Sequence, residues 1–161
     1  MKHLTIKIHW YGPYFLDEVN EFDAGNGLYL LTGKRKYQRE EEIQYCGITE
    51  KSFSNRFKNH HKIPEIVNDL NIWLGEVAYP SKPSRIHLET AEAIVIYFLQ
   101  PSINERKKCK PPIPTTLISH WFKRNDEPRF NQLSIYKNLH DVLSWDGEYW
   151  RTGNLVVYSN E

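Results

Sequence analysis

The sequence predicts an α+β fold built on a small three-stranded antiparallel sheet flanked by helices, with additions at both ends. Three observations predict it. Two short apolar runs at hairpin spacing occupy residues 27–33 and 43–48, and a third, alternating run occupies residues 71–79. Stretches of helical period follow the second and third runs, at residues 52–61 and 84–100.

At 161 residues, with 40% hydrophobic and 25% charged, the chain has the size and composition of one globular domain with decorations. No apolar run approaches the roughly 20 residues that a membrane helix needs. The start, Met1-Lys2-His3-Leu4, lacks the apolar stretch and cleavage site of a signal peptide, which points to the cytoplasm. Cys46 and Cys109 have neither metal-ligand nor redox spacing, as suits a reduced compartment. A net charge of +1 does not announce a nucleic-acid partner, so local clusters matter more. One gathers Arg56, Lys58 and Lys62 beside His60 and His61; another gathers Arg106, Lys107, Lys108 and Lys110. Each alone reads equally well as a solvated face.

Residues 4–10 alternate as a strand until Gly12-Pro13, and residues 16–22 read as a short acidic helix. The run from Gly27 to Gly33 is a buried strand, residues 34–42 are the polar loop of a hairpin, and residues 43–48 are its second strand. Tyr29 and Tyr45 sit near the middle of the two strands. Ser52 or Ser54 caps a helix running to about residue 61, on which Arg56 and His60 stand four apart. That separation puts both on one helical face, where they can serve a single site. Pro64 opens a helical turn through residue 70, Pro80 and Pro83 close the third strand, and Pro101 ends the helix at 84–100. A basic, proline-rich connector follows at 105–114. Residues 115–123 read as helical, 134–143 as helix or strand, Asp146-Gly147 as a hairpin turn and 155–158 as a last strand. The expected division is an N-terminal extension at 1–26, a core at 27–104 and a C-terminal extension at 105–161.

One residue breaks the pattern. From Ala91 to Leu99 the last helix is apolar nearly all round, yet it contains Glu92. A buried carboxylate without a partner costs several kcal/mol, so Glu92 needs a cation, an arginine or a hydrogen-bonded role. An ordinary salt bridge would satisfy it equally well.

In order, the pieces are Gly27-Leu28-Tyr29, Tyr45-Cys46-Gly47, Arg56 with His60, and Glu92 followed by Pro101 and Asn104. The ordered set resembles the GIY-YIG nuclease superfamily over residues 27–104. Leu28 and Cys46 stand where that family usually has isoleucine, and both keep an apolar side chain. The resemblance implies a metal-dependent endonuclease that hydrolyses phosphodiester bonds in DNA, with one active site per chain. Its catalytic residues would be Tyr29, Tyr45, Arg56, His60 and Glu92. Glu92 would hold one divalent cation by the leaving group, magnesium or manganese, because a hard oxygen ligand suits hard cations. Arg56 would bind the scissile phosphate, and Tyr29 or Tyr45 would take a proton from the attacking water. An ordinary tyrosine pKa near 10 demands nearby positive charge, from Arg56, His60, the metal, Lys34 or Lys36. Gly47 would serve backbone geometry, and Asn104 would hydrogen-bond backbone or phosphate, or simply form a turn. Lys58, Lys62, Arg106, Lys107 and Lys108 are the expected nucleic-acid contacts. Double-strand cleavage would need a homodimer or two binding events. The competing expectations are a catalytically silent nucleic-acid-binding module of the same fold, and a plain interaction domain.

Overall fold

The computed structural model describes residues 2–20, 25–58, 60–129 and 140–155. Among these residues lie strands β1 (Leu4–Tyr14), β2 (Gly25–Arg35), β3 (Glu42–Ser52), β4 (Ile66–Tyr79), β5 (Thr115–Phe122), β6 (Val142–Trp145) and β7 (Trp150–Gly153). The helices are α1 (Leu16–Val19), α2 (Phe53–Phe57) and α3 (Arg85–Leu99). All the strands join one mixed sheet of order β3-β2-β4-β1-β5-β6-β7. The expected small three-stranded sheet flanked by helices is therefore overturned. Strands β3, β2 and β4 are adjacent and antiparallel, but they form one side of a sheet of seven.

The reason lies in two segments outside the hairpin region. In β1, Ile6, Ile8 and Trp10 alternate with exposed or half-buried residues and are fully buried. This strand is interior, antiparallel to β4 with Trp10 opposite Gly75, and parallel to β5 with Trp10 opposite Trp121. The Trp10 and Trp121 indoles stack at 5.2 Å, and Trp10 Nε1 donates to Ser119 Oγ at 3.0 Å. Removing one such indole from water is worth about 4 kcal/mol before ordering entropy is subtracted.

Strand β5 corrects the helical expectation for residues 115–123. Its inward positions are Thr115, Leu117, Ser119 and Trp121, while Ile118 and Phe122 face the other way. Polar residues facing in and apolar residues facing out blur the period-two signal. Strand β4 also departs from expectation. Only a 3-10 turn, Ile63–Glu65, forms beside Pro64, and the strand starts at Ile66 opposite Arg35 of β2. The Asp146-Gly147 turn does join β6 to β7, Trp145 pairing with Trp150. The expected features at residues 21–22, 134–139 and 156–158 lie outside the described residues.

The continuous apolar run of β2 is explained by burial on both faces. Leu28 and Leu30 pack in the cluster that includes Leu88, Ala91, Ile94 and Val95 of α3. Tyr29 and Leu31 pack in the cluster that includes Phe53 and Phe57 of α2. The Ser84 backbone N–H donates to His87 Nδ1 at the start of α3, and Gln100 turns left-handed (φ 50°) before Pro101 at its end. Among the described residues no helix is long and apolar enough to cross a membrane.

Candidate active site

The two tyrosine tripeptides meet across the β2–β3 hairpin, where Tyr29 lies opposite Gly47. A Cβ added at Gly47 would come within 2.4 Å of Tyr29 Cζ and its hydroxyl oxygen. The glycine is thus the floor on which the phenol ring rests, an approach of ring to backbone rather than of strand to helix. Phe57 covers the ring edge-on at 4.8 Å, Tyr45 lies 6.0 Å away, and the Arg56 guanidinium carbon is 5.7 Å from the ring centre. Tyr29 has no exposed surface, and burial pushes its phenol well above the usual tyrosine range, the neighbouring Tyr45 adding to it and Arg56 opposing it.

His60 reaches this ring by a route different from the expected one. Helix α2 ends at Phe57, so Arg56 and His60 do not share a helical face. Its buried residues are Phe53 and Phe57, and the next positions at helical spacing are the histidines themselves. A turn in which the His60 N–H donates to the Phe57 carbonyl at 3.4 Å brings the imidazole in, with Nε2 2.9 Å from the Tyr29 hydroxyl. The Lys62 backbone N–H donates to Nδ1 at 3.2 Å. With Nδ1 accepting, the ring proton sits on Nε2 and is donated to Tyr29.

Burial, reinforced by Arg56 and His61, pulls the His60 pKa down to about 4. The unfolded chain, with an ordinary histidine near 6.5, then binds more protons than the folded chain between about pH 6.5 and 4. His60 therefore contributes stability at neutral pH that is lost as pH falls through this window. His9 and His120, both shifted down mainly by burial, act in the same direction. In urea unfolding, His60→Asn is expected to flatten this acid limb, so that its stability gap to wild type is smaller at pH 5 than at pH 7. A gap that grew on acidification would contradict the assignment.

Glu92 faces a cavity of about 510 Å³ beside β3, the outermost strand on its side of the sheet. The α3 residues on its wall are Arg85, Glu89, Glu92 and Ile96, a stripe along one helical face. Tyr45 and Ile48 come from β3, His61 and Lys62 from the turn after α2, and residues 104–107 close the far side. Asn104 fixes that last segment. Its side chain accepts from Cys46 N and donates to Cys46 O, both at 2.9 Å, in the manner of one more strand along the edge. The Ile103 N–H donates to the Gln44 carbonyl at 2.9 Å and extends the pairing. Three residues on, Lys107 takes a left-handed backbone (φ 65°) and places Nζ 2.5 Å from Glu92 Oε1. The partner demanded by a carboxylate in an apolar helix is this ammonium.

The expected residues are therefore split between two neighbouring groups. Tyr29, Arg56 and His60 cluster behind the hairpin, Glu92 lines the cavity, and Tyr45 belongs to both. Half-buried Tyr45 packs edge-on to His60 at 5.3 Å, and burial raises its phenol, with Arg56 pulling it down and Glu92 pushing it up. Lys62, Arg106 and Lys107 line the cavity, although Lys62 is paired with Glu105 at 3.0 Å. Lys108 instead donates to the Pro101 carbonyl at 2.8 Å. Exposed Lys58 caps the end of α2 outside the cavity wall, and Lys36 sits over the Tyr37 ring in the hairpin loop. Lys34 pairs with Asp69 at 3.1 Å. Sequence reasoning missed Arg85 and Glu89 on the wall, and His61, weighed as the neighbour and competitor of His60 and set aside on spacing, lines it too. The spacing of Arg85 and Glu89 from Glu92 was the available signal.

Such a cavity can bind a phosphate through its cations and present a tyrosine hydroxyl and a carboxylate to it. Among the described residues no three His, Cys, Asp or Glu side chains are grouped to hold a metal ion. A single carboxylate still fits magnesium or manganese, because such ions keep several waters and bind through one or two carboxylates. Zinc, with its closed sets of nitrogen and sulfur ligands, does not fit. Lys107 would have to yield Glu92 to the cation. Burial raises the Cys46 thiol, and its backbone serves only to hold Asn104. Compared with known proteins, the chain matches no family model, no curated protein and no solved structure.

Proposed function

We propose that the chain is a cytoplasmic, metal-dependent endonuclease of the GIY-YIG type that hydrolyses phosphodiester bonds in DNA, with one active site per chain. The observation that carries this reading is the convergence of Tyr45, Glu92, Arg106 and Lys107 on one cavity, with Tyr29, Arg56 and His60 directly behind Tyr45. Arg106 and Lys107 hold the phosphate, and Arg56 adds charge from behind the tyrosines. Tyr45 is the better base, because it lines the cavity whereas Tyr29 is sealed in and already receives the His60 proton. A divalent cation at Glu92 would stabilise the leaving oxygen and cancel the carboxylate charge that now raises the Tyr45 phenol. Tyr45 would accept the proton of the attacking water, with Arg56 offsetting part of the burial that raises its phenol.

The test incubates the purified protein with single-stranded and duplex DNA, with magnesium, manganese or a chelator, beside Arg56→Ala. Cleavage is expected only with a cation, and Arg56→Ala is expected to reduce it by about a hundredfold. Undiminished cleavage in chelator and in the variant would defeat the proposal. One observation favours a second reading, a silent nucleic-acid-binding module: the Lys107 ammonium already occupies Glu92. DNA retained without cleavage, and released by salt, would select it.

A further inference from the structure

A second cavity, of about 410 Å³, adjoins the first and shares Glu89 and Lys107 with it. Its wall is largely apolar: Ile86 and Ala93 from α3, and Pro111, Pro112 and Ile113 from the connector. Ile86 and Ile113 are 53% and 44% exposed, apolar surface that no packing within the described fold requires. Glu89 and Lys107 stand between the cavities, and exposed Lys110 lines the second. The volume is at the lower end of the roughly 300–1,000 Å³ typical of small-molecule sites.

We infer that this second cavity receives a nucleobase of the DNA strand whose phosphate lies at Lys107, and that the substrate is accordingly unpaired, single-stranded DNA. The inference rests on the nuclease reading above. A phosphate held by Lys107 has two cavities beside it, the polar one containing Glu92 and this apolar one. The apolar part of the wall offers a face for packing, while Glu89, Thr90, Lys107 and Lys110 supply its polar groups. Lys110 lines the same cavity and adds a second cation for the phosphate backbone. A base in a duplex would have to leave its stack at a cost that a single strand escapes almost entirely, which sets the preference.

Fluorescence anisotropy with a labelled single-stranded oligodeoxynucleotide and its duplex, in chelator so that nothing is cut, separates the possibilities. Wild type is expected to bind the single strand at least tenfold more tightly. Ile113→Ser and Ile86→Ser, uncharged substitutions at exposed positions, should each weaken single-strand binding about tenfold and leave duplex binding unchanged, while Ile113→Met retains it. Equal affinity of wild type for the two forms, or equal loss on both in the variants, would overturn the inference while leaving the nuclease reading standing. Absence of binding to either form would overturn both.

Discussion

Glu92→Gln is expected to lower DNA cleavage by about a thousandfold, equivalent to about 4 kcal/mol of lost transition-state stabilisation, while leaving the folded protein nearly as stable as wild type. The substitution keeps the shape of the side chain and an oxygen for the Lys107 ammonium, and removes only the charge that a divalent cation needs. The structural cost is small because the Lys107 side chain, 34% exposed, can turn to solvent once its partner is neutral. Because Lys107 also holds the phosphate, the two variants are separated by metal binding and not by cleavage: if Glu92 holds a cation, a direct manganese titration should show Glu92→Gln binding more weakly than wild type and Lys107→Met, which removes a competitor for the carboxylate, binding more tightly. Cleavage by Glu92→Gln within tenfold of wild type would rule out the cation role.

Gly47→Ala is expected to cost about 3 kcal/mol in urea unfolding, near the upper end for overpacking by one methyl group. Most such insertions are eased by a flexible neighbour, and here there is none. The added carbon would meet the Tyr29 ring at 2.4 Å, and that ring is held by Phe57, by its contact with His60 and by its own strand pairing. The same variant should separate the Tyr29 hydroxyl from His60. In a Tyr29→Leu background, where no phenol lies over the glycine, the alanine should be much less costly, and the double-mutant cycle reports that coupling directly. A Gly47→Ala protein within 0.5 kcal/mol of wild type would show that the ring can move aside.

The sequence made local features legible and hid pairings between distant segments. The hairpin could be read because Tyr29 and Tyr45 sit in apolar runs whose ends are close along the chain. Helix α3 could be read because its cap, its apolar face and Pro101 agree. The extent of the sheet could not. Whether β1 is an edge or an interior strand depends on Trp10 meeting Gly75 and Trp121, and nothing local to residues 4–14 encodes either partner. Strand β5 was masked by Thr115 and Ser119, polar residues at inward positions, and Ser119 is inward because it takes the Trp10 indole proton. In the site, Glu92 was legible as an anomaly, since it is the one charge in an apolar helical run. Its partner was not, because Lys107 is one of four cations within five positions, and only the left-handed turn at Lys107 and the Asn104 strap select it. His60 was found for a reason the structure does not support, since the turn after α2, and not the helix, delivers it.

The interior position of β1 also bears on how the chain comes together in time. Strand β1 precedes both of its neighbours, β4 and β5, in the chain, so one of its edges stays bare until residue 79 has been made and the other until residue 122. Two devices within the strand limit unwanted pairing during that wait: Lys7 on the face opposite Ile6 and Ile8, and Pro13, which offers no N–H to a neighbour. Meanwhile β2, β3 and β4 follow one another closely enough to associate early. A high contact order is thus built into the topology, since both ladders of β1 join segments far apart in the chain.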